Sequence, residues 1–319
     1  MTVEASAGDF RARERRRVLV ALTGVQLAFG SWSIVGKVTL QLVTPTDLVF
    51  VRLLGGAMLF AALSARAGRP MLPPREKLGE TVVLAVAGLL VNQYFFTIGL
   101  AHTSAIEASV LGATIPLFAV GYSVLSGRDR ASASLWRGLL VALVGTLALS
   151  LSRRNSRDAV HFYGNTLILI NCVSYAVYLV RAREPMARYG AQTVVAWMFV
   201  VAVVLAAPVG VPSLAHHAGA WPVRAWVAIA YVVAVPTAYA YGANAYALQR
   251  APSSLVAAFI YLQPLAATVL ALGGGALVAR WLEVPTPGEH MTWVRAGAMT
   301  CVLVGVWMVA RAGGARRGA

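Results

Sequence analysis

Ten apolar runs, each near the length of a membrane-crossing helix, leave this chain little freedom in how it folds. A helix needs roughly twenty apolar residues to cross the hydrocarbon core of a bilayer. Runs of that kind fall at residues 18–36, 46–65, 80–101, 104–125, 134–152, 162–182, 192–211, 224–248, 253–279 and 293–311. The segments between them are short and carry the Pro, Gly, Ser and Arg of turns, as at 68–70, 126–129 and 285–288. Two joints, at His102-Thr103 and Arg250-Ala251-Pro252, are so tight that the flanking helices must form hairpins. No stretch is left for a soluble domain. The expected fold is an all-α integral membrane protein of ten transmembrane helices.

Composition enters as an exclusion. Only 12% of the residues are charged, against about 25% in an ordinary globular chain, which removes disorder, coiled coil and most soluble folds. The net charge of +15 would suggest nucleic acid if it lay on a soluble domain. Here the basic residues sit in short segments beside apolar runs, where they meet anionic lipid head groups. The bilayer is therefore an expected partner and nucleic acid is not. Cys172 and Cys301 both fall inside apolar runs, so neither a disulfide nor a zinc framework is implied. The basic stretch Arg11–Arg17 ahead of the first run looks like the start of a signal peptide, but no small-residue cleavage site follows a short core. It is read as a basic cytoplasmic segment, 1–17, leading into an uncleaved first helix. With the N-terminus cytoplasmic and the spans alternating, nineteen Lys and Arg fall on the cytoplasmic side and seven on the other, Arg52 lying within a span. Both termini, including the tail 312–319, are expected in the cytoplasm of a cell-membrane protein.

The chain repeats itself. Residues 99–117 lie on 247–265 without a gap, an offset of 148, with Pro116 and Pro264 in register. Residues 29–37 lie on 175–183 at an offset of 146, and Gly138 and Gly145 in span five are matched by Gly297 and Gly305 in span ten. Two units follow, 18–152 and 162–311. Five spans is an odd number, so the second unit enters the membrane from the opposite side, and two inverted-topology five-helix repeats can rock against each other about a midplane site. That favours alternating access over a channel or an enzyme.

On these residues the sequence resembles the drug/metabolite transporter superfamily, EamA type. They are Phe29-Gly-Ser-Trp-Ser-Ile-Val-Gly-Lys37, Arg52 early in span two, the 99–116 hairpin, Gly138 and Gly145, and their counterparts in the second half. Residues 92–105, with Tyr261-Leu-Gln-Pro264, are similar to the WAT1-like and UMAMIT-like branch, whose members move amino acids, auxin and related metabolites. The resemblance implies a transporter built of two EamA-like repeats. The Gly-Glu pair that commonly closes spans four and nine in the family is absent, span four ending Ser126-Gly-Arg-Asp129 and span nine Ala279-Arg-Trp-Leu-Glu283.

No catalytic constellation, phosphate loop or metal-ligand cluster is legible, so neither enzymatic activity nor a cofactor is expected. His216 and His217 read as a solvated loop pair. Ionisable residues within spans are functional suspects. Glu107, roughly 5 Å into span four, can bind a substrate amine or carry a coupling proton. It also closes a capping box, Ser104-Ala-Ile-Glu107, as a structural residue would. Arg52, roughly 9 Å into span two, can grip a substrate carboxylate or pair with Glu107 as an outer gate; snorkelling or a structural hydrogen bond is its bland role. A buried amide costs several kcal/mol without a partner, so the polar stripe must face protein or water. Its members are Asn171, Tyr175 and Tyr178 on span six, Gln26, Phe29 and Trp32 on span one, and Asn92, Gln93 and Phe96 on span three. Asn244 on span eight and Tyr261 and Gln263 on span nine complete it. Each alone is more often interhelical glue than ligand contact; together, on equivalent helices of both repeats, they suggest one cavity. Gly55-Gly56, Gly88 and the triplet 273–275 are expected at close helix contacts, the triplet having a hinge as its alternative, and Pro116 and Pro264 at kinks. The function these features suggest is secondary export of amino acids or related small metabolites, with protons as a candidate coupling ion. Alternatives are a hydrophobic-cation exporter, which would depend on Glu107, and a membrane scaffold or sensor that moves nothing.

Overall fold

Helix ends fall where the sequence supplies caps. Thr44 accepts a hydrogen bond from the Asp47 backbone N–H, with Pro45 at the first helical position, and Ser104 does the same for Glu107. Gly190, at φ 85°, lets the chain turn into a 27-residue helix. The computed structural model describes residues 3–127, 158–251 and 262–285, with isolated positions at 137–145, 256–260 and 293–308. Spans five and ten fall largely outside the described residues, as do the Pro252 joint and Tyr261.

All regular structure among the described residues is helical. In chain order the helices are α1 (Val3–Thr39), α2 (Pro45–Arg66), α3 (Arg75–His102), α4 (Ala105–Leu125), α5 (Asp158–Arg181), α6 (Arg183–Tyr189), α7 (Ala191–His217), α8 (Val223–Arg250) and α9 (Leu262–Trp281). Seven of these contain segments long and apolar enough to cross a bilayer, and α9 makes an eighth if its two halves, bent by 57° between Ala271 and Gly273, count as one span. The helix pattern is inside-out for water. Large apolar side chains such as Met58, Val204 and Val209 are exposed, while Gln26, Arg52, Gln93 and Asn171 are buried, the arrangement a lipid surround demands.

Among the described residues, two helices each contain a π turn. A π turn spans Val86–Leu90 in α3 and another spans Val233–Tyr239 in α8, and the 148-residue offset brings the second onto the first. In α8 the cause is Pro236, which has no N–H to give the ladder; Thr237 instead returns its hydroxyl to the Val232 carbonyl at 3.0 Å. Helix α4 is interrupted at Ala113-Thr114 just before Pro116. Pro264 lies in the first turn of α9, where its ring is tolerated.

Helix α2 packs along α7, each giving the other a glycine notch: Phe199 fills the space over Gly56 and Phe50 that over Gly210. Gly55 admits Val233 and Gly88 admits Tyr178. Gly99 and Gly164 bring α3 and α5 to near backbone contact, since a Cβ on either would lie 2.7–2.8 Å from the other's carbonyl oxygen. Gly273 and Gly274 differ. No described atom lies within 4 Å of a Cβ built on them, so these two positions mark the bend in α9 and not the close contact expected there.

Helix α1 packs on α8 and α9, and α5 on α3 and α4, so exchanging the two halves of the chain exchanges the pairings. Lys37, near the C-terminal end of α1, donates to the Leu100 and Ala101 carbonyls at the end of α3, each at 2.9 Å. Arg250, at the end of α8, lies 3.6 Å from Glu14, at the start of the apolar part of α1, Arg13–Thr39. From Glu14 to Lys37 is about 34 Å along a helix. The two tight turns that the repeat equates therefore lie at opposite ends of the apolar part of α1.

Candidate functional site

Between the two halves lies a cavity of about 70 Å³, room for several waters. Helix α1 contributes Gln26, Phe29 and Trp32; α2, Arg52; α3, Asn92, Gln93 and Phe96; α5, Asn171 and Tyr175; α8, Tyr241 and Asn244; α9, Gln263. Gly112 and Ile115 line it where α4 is broken. Pro116 has no N–H to bond the Gly112 carbonyl, which explains why backbone is available there.

The π turns build the polar wall. In α3 the displaced Ala87 carbonyl accepts from Ser174 Oγ at 2.8 Å, and the Gly88 carbonyl accepts from the Tyr241 hydroxyl at 3.2 Å. Gln93 Nε2 donates to Tyr241 at 3.4 Å; these two residues are 148 apart, so the repeat register lays one on the other and they meet across the centre. Asn92 donates to Asn171 at 2.9 Å and Asn244 to Tyr175 at 3.3 Å. Rings close the walls, Trp32 on Phe96 at 6.3 Å and Phe29 edge-on to Tyr241 at 6.5 Å.

Arg52 is the charged member of this lining. It is 3% exposed. Its Nε donates to Thr237 Oγ1 at 3.0 Å, so the second π turn holds the guanidinium, and its Cζ lies 4.3 Å from the Trp32 ring centroid. Nε and the ring face fix the group in place at the cavity wall. A planar fork so held can take a carboxylate through two parallel hydrogen bonds.

Glu107 and Tyr178 stand elsewhere. Glu107 is 1% exposed and does not line the cavity; its carboxylate accepts from Thr103 at 2.8 Å and lies 3.6 Å from His161 Nδ1. It meets neither Arg52 nor the lining, so the outer gate considered for Arg52 and Glu107 does not form. Tyr178 was placed on the cavity face by helical spacing, but Gly88 leaves a notch that takes its ring, 5.2 Å behind Tyr175. Tyr261 lies outside the described residues. His217 lies in no loop: it ends α7, part-exposed, and its Nδ1 is 2.9 Å from Asp47, which Thr44 and Ser213 bond. Sequence reasoning passed over Tyr241 and Asp47. The repeat register already set Tyr241 on Gln93, whereas the partners of Asp47 on α7 are distant in sequence and left no local signal.

The profile of the EamA-like transporter family matches residues 16–151 and 162–273, one match per half. Among curated proteins, an uncharacterized transporter of Archaeoglobus fulgidus is 26% identical over 259 residues, 81% of this chain and 88% of its own. The uncharacterized transporter YdfC of Bacillus subtilis is 25% identical over 85% of this chain and 87% of its own. A probable terminal-alkyne amino-acid exporter of Streptantibioticus cattleyicolor is 26% identical over 67% of this chain and 69% of its own. A solved crystal structure superposes with a TM-score of 0.64 over 92% of this chain and 97% of the other at 20% identity, a likeness of fold. With two matches to the family profile covering most of its length, the chain belongs to the EamA-like transporter family.

Proposed function

We propose that this transporter is a secondary-active exporter of amino acids or related small metabolites, working by alternating access. The observation that carries the reading is the buried Arg52 guanidinium, fixed by Thr237 and Trp32 and open to a cavity lined by amides and rings. Substrate carboxylate docks on Arg52, while Asn and Gln side chains and ring faces take the rest of the molecule. The probable amino-acid exporter among the relatives supports the same substrate class. A hydrophobic-cation exporter depending on Glu107 is disfavoured, because that carboxylate lies off the cavity.

Ten spans in two inverted repeats, with both termini cytoplasmic, complete the proposal. The reciprocal pairing of α1 with α8 and α9 and of α5 with α3 and α4 supports it. So does the position of the matched turns at opposite ends of the apolar part of α1. Two such units rocking about the cavity would expose Arg52 to one side and then the other. The test is counterflow of labelled amino acids and their derivatives into proteoliposomes, with and without a pH gradient. Saturable exchange lost in Arg52→Gln is expected, and acceleration by the gradient would make protons the coupling ion. A folded protein that exchanges nothing across the panel overturns the transport reading.

A further inference from the structure

We propose that the cavity selects monoanions: small carboxylates that carry neutral N–H or O–H donors and no ammonium group. The inference rests on the transport reading and narrows its substrate class. Its basis is the charge inventory of the site. Among the described lining residues Arg52 is the one permanent charge, and no Asp or Glu accompanies it. Guanidinium keeps its proton at any physiological pH, so the described lining presents one positive charge and no carboxylate to balance it.

The chain holds twelve carboxylate side chains, and the two that are buried among the described residues are engaged elsewhere. Asp47 is tied to Thr44, Ser213 and His217, and Glu107 to Thr103 and His161. The others lie by sequence at helix ends, in connections or near the N-terminus, as Glu14, Glu80 and Glu283 do beside Arg250, Lys77 and Arg224. A zwitterion would satisfy Arg52 but bring its ammonium into a cavity where only neutral oxygens and ring faces can answer it. A buried ion without a counter-charge is disfavoured, and Arg52 would repel this one. A cation is worse on both counts. A monoanion neutralises the site.

A second observation describes the rest of the ligand. Gln26 and Gln93 are each 2% exposed, and both line the cavity. The side-chain oxygen of each lacks a hydrogen-bond partner. Buried acceptors of this kind call for donors, and an amide N–H or a hydroxyl supplies them without adding charge. N-Acylated amino acids have this chemistry, one carboxylate and one amide N–H.

The experiment compares three charge forms of the same side chains, with alanine, leucine and phenylalanine each presented as N-acetyl acid, free amino acid and amino-acid amide. Ligand-induced thermal shifts of the purified full-length protein report binding, and counterflow in proteoliposomes reports transport of the first two forms. The expected result is an apparent affinity for the N-acetyl acids at least about tenfold above that for the free amino acids, with none for the amides. In Arg52→Gln the shift by N-acetyl acids disappears, whereas Arg52→Lys, which keeps the charge, retains a weaker shift and the same order. Free amino acids bound as well as or better than the N-acetyl acids would overturn the monoanion assignment and leave the carrier reading intact. Silence of all nine compounds in the thermal assay and of the six acids in counterflow would overturn both.

Discussion

Arg52 unites the interest and the cost of this site in one side chain. A buried charge without a counter-ion is a stability burden, and replacing such a group by an apolar one of similar volume is often neutral or stabilising. Arg52→Met is therefore expected to hold or raise the thermal midpoint while counterflow falls by about two orders of magnitude, the cost of losing a bidentate anion contact of roughly 3 kcal/mol. A midpoint lowered in parallel with activity would instead mark Arg52 as a structural residue. Glu107 should behave the other way. Its carboxylate accepts from Thr103 and faces His161, away from the cavity. Glu107→Ala is expected to cost about 1–3 kcal/mol through the partners it strands and to leave the substrate KM unchanged. Thermal melts paired with counterflow kinetics check both variants, and a shifted KM in Glu107→Ala would return that residue to the binding site.

At the scale of the helix, the departures from α geometry do the positioning. Pro236 leaves a gap in the α8 ladder, the π turn absorbs it, and Thr237 is thereby set where Arg52 Nε can reach it. Pro236→Ala restores the missing N–H and recovers part of the roughly 3 kcal/mol that an interior proline costs a helix. The protein is expected to melt higher and transport more slowly, because a regular turn moves Thr237 away from Arg52. A variant that melts higher at full transport rate would remove the π turn from the mechanism. These turns also set what the sequence could reveal. Apolar run length was enough to place the described helices and the turn at His102-Thr103, and helical spacing brought most of the polar stripe to one cavity. Helical spacing assumes a uniform turn, so it carried Tyr178 onto the cavity face and passed over Tyr241 just beyond a π turn. It also says nothing of notches such as Gly88, which take a ring out of the site. Where backbones nearly touch, the element scale gives a sharper test. Gly164→Ala drives a methyl toward the Gly99 carbonyl and the His102 backbone. A loss of about 1–3 kcal/mol is expected there, against little at Gly273→Ala in the open bend.

For the whole molecule, the question is whether its two halves face opposite ways, as two inverted units rocking about a central site would. The joint at His102-Thr103 and its counterpart at Arg250-Ala251 are the same turn in the two repeats. The first lies by Lys37 and the second by Glu14, about 34 Å apart along α1, close to the full thickness of a hydrocarbon core. Each turn should accordingly reach a different aqueous phase. Single cysteines at His102→Cys and Arg250→Cys, in a background with Cys301→Ser, test this directly; Cys172 is buried and can stay. A membrane-impermeant maleimide added to intact cells is expected to label position 102 and to reach position 250 only after the membrane is opened. The excess of Lys and Arg on the Arg250 side predicts that sense of the asymmetry. Labelling of both positions from one side would overturn the inverted arrangement, leaving two parallel halves about the same central site.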